Sequence, residues 1–93
     1  MNIMLQQEQF VYLIRLIKEE YTQPHIMAFI SKDVCDEYFD RDLKYYRKRG
    51  WEVDDNENYC ADHTIRRAYM MKKEGDKYEK MTLVMESYEI TKK

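Results

Sequence analysis

The stretch Ser31–Trp51, SKDVCDEYFDRDLKYYRKRGW, constrains the fold of this chain more than any other. Ser31 or Asp33 can cap a helix, because either side chain can accept a hydrogen bond from a backbone N–H left orphaned in the first turn. Gly50 suits the position just past a helix end, where the backbone turns left-handed. The spacing between these signals predicts a helix over 33–49. At about 100° per residue, Val34, Cys35, Tyr38, Phe39, Leu43, Tyr45 and Tyr46 spread over one half of the wheel. Asp33, Asp36, Glu37, Asp40, Arg41, Lys44, Arg47 and Lys48 fill the other half. Two charged residues, Asp42 and Arg49, break the rule and fall inside the apolar arc. Unpaired charges there would be costly. Each is expected to pair with the other, with a tyrosine hydroxyl, or with a bound protein.

The flanking segments are less decisive. Residues 4–21 read as a second helix, because Phe10, Leu13, Ile14, Ile17 and Tyr21 follow the i, i+3, i+4, i+7 spacing of one buried face. Leu5, Tyr12 and Leu16 form a second stripe, which widens the core face or supplies a homodimer seam. Thr22-Gln23-Pro24 ends that helix. His25–Ile30, HIMAFI, is a short apolar run that is either a buried strand or a two-turn helix. Residues 52–63 are acidic and aperiodic, and read as a strand end at Trp51–Val53 followed by a loop. Residues 64–72 and 78–90 flank Lys73-Glu74-Gly75-Asp76-Lys77 and favour a β-hairpin over helices. Alternation within 81–90 is imperfect, which calls for a bulge or for cover on both faces. The expected class is α+β in one small domain, residues 1–93: a long N-terminal helix, the central amphipathic helix, and a C-terminal antiparallel hairpin or small three-stranded sheet.

Charge and composition exclude some functions. With 16 basic and 18 acidic residues the net charge is −2, which opposes a strongly basic nucleic-acid binder and equally an extreme acidic mimic of DNA. Charged residues make up 37% of the chain and hydrophobic ones 44%, so a soluble fold with a densely charged surface is expected. No apolar run approaches a membrane span, and no secretory leader pattern opens the chain. The expected address is the cytoplasm, where Cys35 and Cys60 would be free thiols. Nine tyrosines and seven methionines fit an interaction protein, or a small core built from those residues for want of leucine.

Catalytic and metal patterns are weak. Cys60-x-x-His63 stands alone, without the second ligand pair of a structural zinc site. Asp54-Asp55-Asn56-Glu57-Asn58 lacks the ligand alternation and central glycine of a calcium loop. No nucleophile elbow, zinc-protease helix, phosphate loop or dinucleotide fingerprint occurs. Cys35 near a helix start could have a lowered pKa, but an apolar setting would oppose that, and neither Cys35–His25 nor Cys60–His63 makes a convincing catalytic pair. No catalytic residue, metal or cofactor is therefore assigned.

Phe29-Ile30-Ser31-Lys32-Asp33-Val34 as a turn, Asp40–Gly50 as a second helix and Lys72–Lys80 as a wing resemble the winged helix–turn–helix pattern. That resemblance implies a nucleic-acid-binding regulator. The acids Asp33, Asp36, Glu37 and Asp40 fall where such a helix would meet phosphates. The acid-to-base gradient along the helix also complements its dipole and needs no ligand to explain it. Arg66, Arg67, Lys72, Lys73, Lys77 and Lys80, with Trp51 or tyrosines as stacking platforms, leave RNA or DNA as an alternative. The leading expectation is a small non-enzymatic regulator, inhibitor or adaptor, of the kind carried by phages and mobile elements, that binds another protein. Its expected contact residues are Tyr45, Tyr46, Arg47, Arg49 and Trp51, with Asp54, Asp55 and Glu57 in the acidic segment beside them.

Overall fold

A computed structural model describes residues 9–18 and 25–90, with the side chain of His25 outside the description. Five antiparallel strands form one sheet in the order β2-β1-β5-β4-β3, with a single helix across it. The elements are β1 (Gln9–Lys18), β2 (His25–Phe29), α1 (Lys32–Lys48), β3 (Glu52–Asn56), β4 (Thr64–Glu74) and β5 (Lys77–Ile90). β5 is central and pairs with β1 over its Met81–Ile90 part, from Gln9 opposite Ile90 to Lys18 opposite Met81.

The N-terminal helix is replaced by a strand, and this corrects the expected α+β class. The described chain is predominantly a β-sheet of five strands, not of three, with one helix and no long N-terminal one. Residues 4–8 and 19–24 of the expected helix and its proline break lie outside the described residues. The physical reason is the run FVYLIRLI, which is apolar on both parities. Such a run satisfies the helical spacing and also suits a strand with neighbours on either side. Pairing with both β2 and β5 decides for the strand. Of the expected second stripe, Tyr12 and Leu16 pack against the core, and Leu5 lies outside the described residues.

α1 begins and ends on local chemistry. The Ser31 hydroxyl accepts from the Val34 N–H at 3.3 Å. At the other end Trp51 N–H donates to the Tyr46 carbonyl and Gly50 N–H to that of Arg47, both at 3.1 Å. This is the paired bonding of a Schellman motif, and it needs Gly50 at φ +89°. Trp51 also packs edge-on against Tyr46, 6.0 Å between ring centroids, which is the apolar contact that accompanies such an end. Cys35, Phe39 and Leu43 form the buried stripe of the helix. They meet Ile14, Ala68, Met70, Met81, Leu83 and Met85 from the three inner strands.

Register separates the sheet into two faces. On the helix side, Met27, Ile14, Met85 and Arg66 form one cross-strand row. Leu16, Leu83, Ala68 and Asp55 form the next. On the other face the rows are Ile26, Arg15, Val84, Arg67, Asn56 and then Ile17, Thr82, Tyr69, Asp54. A register shift between Thr64 and Arg66 brings Ile65 against the core and Arg66 onto the helix side. Gly75 and Asp76 form the two-residue turn between β4 and β5, with Gly75 at φ +63° in the first central position.

Candidate interaction surfaces

Arg66 is the most heavily engaged charge in the described chain. Its side chain is only 6% exposed. Nε donates to Asp55 Oδ1 at 3.2 Å, and Nη2 to Asp55 Oδ2 at 2.8 Å and Asp40 Oδ1 at 2.6 Å. Glu57 Oε1 lies 3.4 Å from Nη2, and Asp36 Oδ1 3.6 Å from Nη1. The guanidinium also sits 4.3 Å from the Phe39 ring centroid. Burial alone would lower the Arg66 pKa, but the hydrogen bonds it donates to Asp55 and Asp40 outweigh that and raise the value. Lys32 joins the edge of the cluster through Asp36 at 2.8 Å, and that hydrogen bond raises the Lys32 pKa. The group ties α1, β3 and β4 together beside a polar cleft of about 380 Å³. Its chemistry is that of an ionic rivet, since a guanidinium this saturated has little left to offer a ligand.

The face away from the helix is organised differently. Arg15 and Arg67 flank Val84 in the central row, and Val84 is buried although it lies on the face away from α1. Their long aliphatic stems can cover such a residue while the charged ends stay polar. Arg15 pairs with the buried Glu86 at 2.7 Å. Tyr88 donates its hydroxyl to Glu86 at 3.2 Å and stacks on His63 at 4.3 Å between ring centroids. The Arg67 guanidinium lies between two tyrosine rings, 3.8 Å from Tyr59 and 4.4 Å from Tyr69, and donates to the Tyr59 hydroxyl at 2.9 Å. Next to this stack, a largely apolar cleft of about 490 Å³ opens among Ile17, Tyr69, Met71 and Thr82. Glu52 and Asp54 form its β3 rim, and Lys80 stands at the hairpin end. Ile17, Tyr69 and Met71 remain 39%, 48% and 37% exposed.

The residues singled out in the sequence do not form one patch. Tyr45 and Arg49 are exposed and stack on each other, the guanidinium 3.5 Å from the ring centroid, and Arg49 also reaches the Tyr45 carbonyl at 3.4 Å. Arg47 is exposed beside them in the last turn. Tyr46 and Trp51 are half-buried and pack on the core. Burial, with Asp42 adding to it, raises the Tyr46 pKa. Asp55 and Glu57 belong to the Arg66 cluster, and Asp54 lies on the opposite side of the sheet. Arg49 is engaged by the ring and backbone carbonyl of Tyr45, not by the tyrosine hydroxyl that the sequence led one to expect. Arg66 and Arg67, read as part of a basic set for nucleic acid, are instead held by carboxylates and by tyrosines. A legible signal for Arg66 did exist: Arg66, Ala68 and Met70 share one strand parity, and an arginine on an apolar parity calls for buried acids.

Other readings can be placed the same way. Cys35 is fully buried, and burial pushes its thiol up to about 11, the opposite of nucleophile activation. Cys60 is exposed and His63 is engaged by Tyr88 and Ser87. Among the described residues no group of three ligand-type side chains could hold a metal. The helix–turn–helix resemblance is corrected, because the described residues contain one helix and the segment before its turn is β2. No helix among them is long and apolar enough to cross a membrane. The chain matches no protein family, no curated protein and no solved structure at a significant level. Geometry alone therefore carries the functional reading.

Proposed function

We propose that the chain is a small non-enzymatic protein that binds another protein through the helix-free face of its sheet. The observation that carries this reading is the cleft of Ile17, Tyr69, Met71 and Thr82 beside the Tyr59–Arg67–Tyr69 stack. An antiparallel sheet with one solvated face normally alternates apolar-in and polar-out. Here β1 and β4 keep apolar and aromatic residues on the outer parity too. Tyrosine, methionine and arginine are the residue types enriched where proteins meet. The rim sets the partner's chemistry: an apolar or aromatic anchor for the cleft, next to a cation that faces Glu52 and Asp54. Acids on that rim work against a phosphate backbone, so nucleic acid is the weaker reading. Two free thiols, Cys35 and Cys60, suit a reducing compartment, the cytoplasm in this reading.

The test is capture from a lysate of the source organism, with nuclease, using wild type, Tyr69→Ala and Ile17→Asp. Support is a protein, identified by mass spectrometry, that survives nuclease and is lost with both variants while their circular dichroism stays native. Capture that disappears with nuclease, or that persists unchanged in both variants, would overturn the proposal.

A further inference from the structure

The two edges of the sheet differ in a way that points to a second copy of the chain. One edge, β3, carries Glu52, Asp54 and Asp55 in five residues. Charges of this density are a recognised guard against edge-to-edge pairing. The other edge, β2, reads HIMAF and carries no acid, lysine, arginine or proline. It pairs with β1 over five consecutive positions without a bulge, so its outer backbone row is regular. Among the described residues no strand lies beyond it. Ile26 on this edge is 55% exposed, and Ile30 just past its end is 87% exposed. Among the described residues no charge, proline or bulge protects this edge.

We infer that β2 pairs antiparallel with β2 of a second copy about a two-fold axis at Met27, joining two sheets into one. This surface and the occupant are separate from the cleft on which the proposed function rests. The self-complementarity is what selects a second copy. Centring the pair on Met27 sets Ile26 opposite Ala28 of the other copy, a large residue against a small one, twice by symmetry. Both lie on the helix-free face. No like charges oppose each other in this register, whereas β3 paired with itself would set acids against acids. Five residues a side is a small contact, so association is weak and concentration-dependent.

Sedimentation velocity of the full chain, from dilute to concentrated, tests this with two double variants at exposed positions. The wild type is expected to shift from monomer toward dimer as concentration rises. Ile26→Lys with Ala28→Lys sets like charges opposite each other and should weaken association roughly tenfold or more. Ile26→Lys with Ala28→Glu sets opposite charges in register and should keep the dimer. A wild type that stays monomeric at the highest concentration overturns the inference, as does a dimer indifferent to the paired lysines. Loss of the dimer in both double variants overturns it too, because the register then differs. Circular dichroism of each variant confirms that the fold is kept. Failure here leaves the Tyr69 and Ile17 capture experiment unaffected.

Discussion

At the scale of single residues, Arg66 and Cys35 carry the sharpest expectations. Arg66 is buried and is the cation that Asp55, Asp40, Glu57 and Asp36 share. Removing it leaves Asp55, itself only 15% exposed, facing other carboxylates. Arg66→Ala should cost about 3–5 kcal/mol, read as a lower urea midpoint with little change in slope. Asp40→Asn removes an exposed partner and should cost under ~1 kcal/mol. Equal losses would mean that the cluster is not held from the Arg66 end. Cys35 offers a pH test. Its thiol is pushed from 9.0 to about 11 by burial, so the native chain keeps that proton after the unfolded chain has lost it. The contribution is complete below pH 9 and drains away as pH climbs toward 11, by roughly 2–3 kcal/mol at the limit. Stability measured across that window should fall less steeply in Cys35→Ala than in wild type. The two thiols should also separate kinetically, with Cys60 alkylated in the native state and Cys35 only after unfolding.

At the scale of elements, what was legible depended on whether the signal was local. α1 was readable because its capping serine, its glycine stop and its charge gradient all lie within the segment. Replacing Ser31 by Ala should cost about 1 kcal/mol, measurable by thermal unfolding. The β4–β5 turn was readable for the same reason. Gly75→Ala should cost about 1–2 kcal/mol, since φ +63° is strained for a side chain although there is open space around it. β1 was not readable. Phe10, Leu13, Ile14 and Ile17 satisfy helical spacing, and what makes them a strand is Ile90–Met81, far along the chain. The uneven alternation in β5 has a similar cause. Met81, Leu83 and Met85 face the helix, while Val84 is buried on the other side between Arg15 and Arg67. The candidate surface was hidden with it, because a cleft built from Ile17, Tyr69 and Met71 exists only once β1, β5 and β4 lie side by side. Of the residues named from sequence, Asp54 lies on the rim of that cleft.

At the scale of the whole molecule, the sheet is supported unevenly, and the unevenness should be measurable. Among the described residues β5 has a strand on each side only from Met81, where Lys18 stands opposite on β1, to Glu86, where Thr64 stands opposite on β4. Among the described residues the β4–β5 ribbon beyond Met71 and Lys80 has no third strand, since β3 ends its pairing at Glu52 opposite Met71. An isolated two-stranded ribbon is marginal in water. Local opening free energies follow such differences in cover, from near zero at frayed tips up to the global stability in a buried strand. Native-state hydrogen exchange should therefore give fast exchange for amides 73–78. The slowest exchange should fall at Leu83 and Met85, whose side chains are buried in the core. The gradient also separates tip from core by mutation: Tyr78→Ala should leave the midpoint of unfolding within ~0.5 kcal/mol, because Tyr78 is exposed and lies in the ribbon. Leu83→Ala should lower global stability by about 2–5 kcal/mol. Protection in the ribbon equal to that of Leu83 would require a support that the five-strand order does not provide. It would direct attention to a partner, or a second copy, lying along the hairpin.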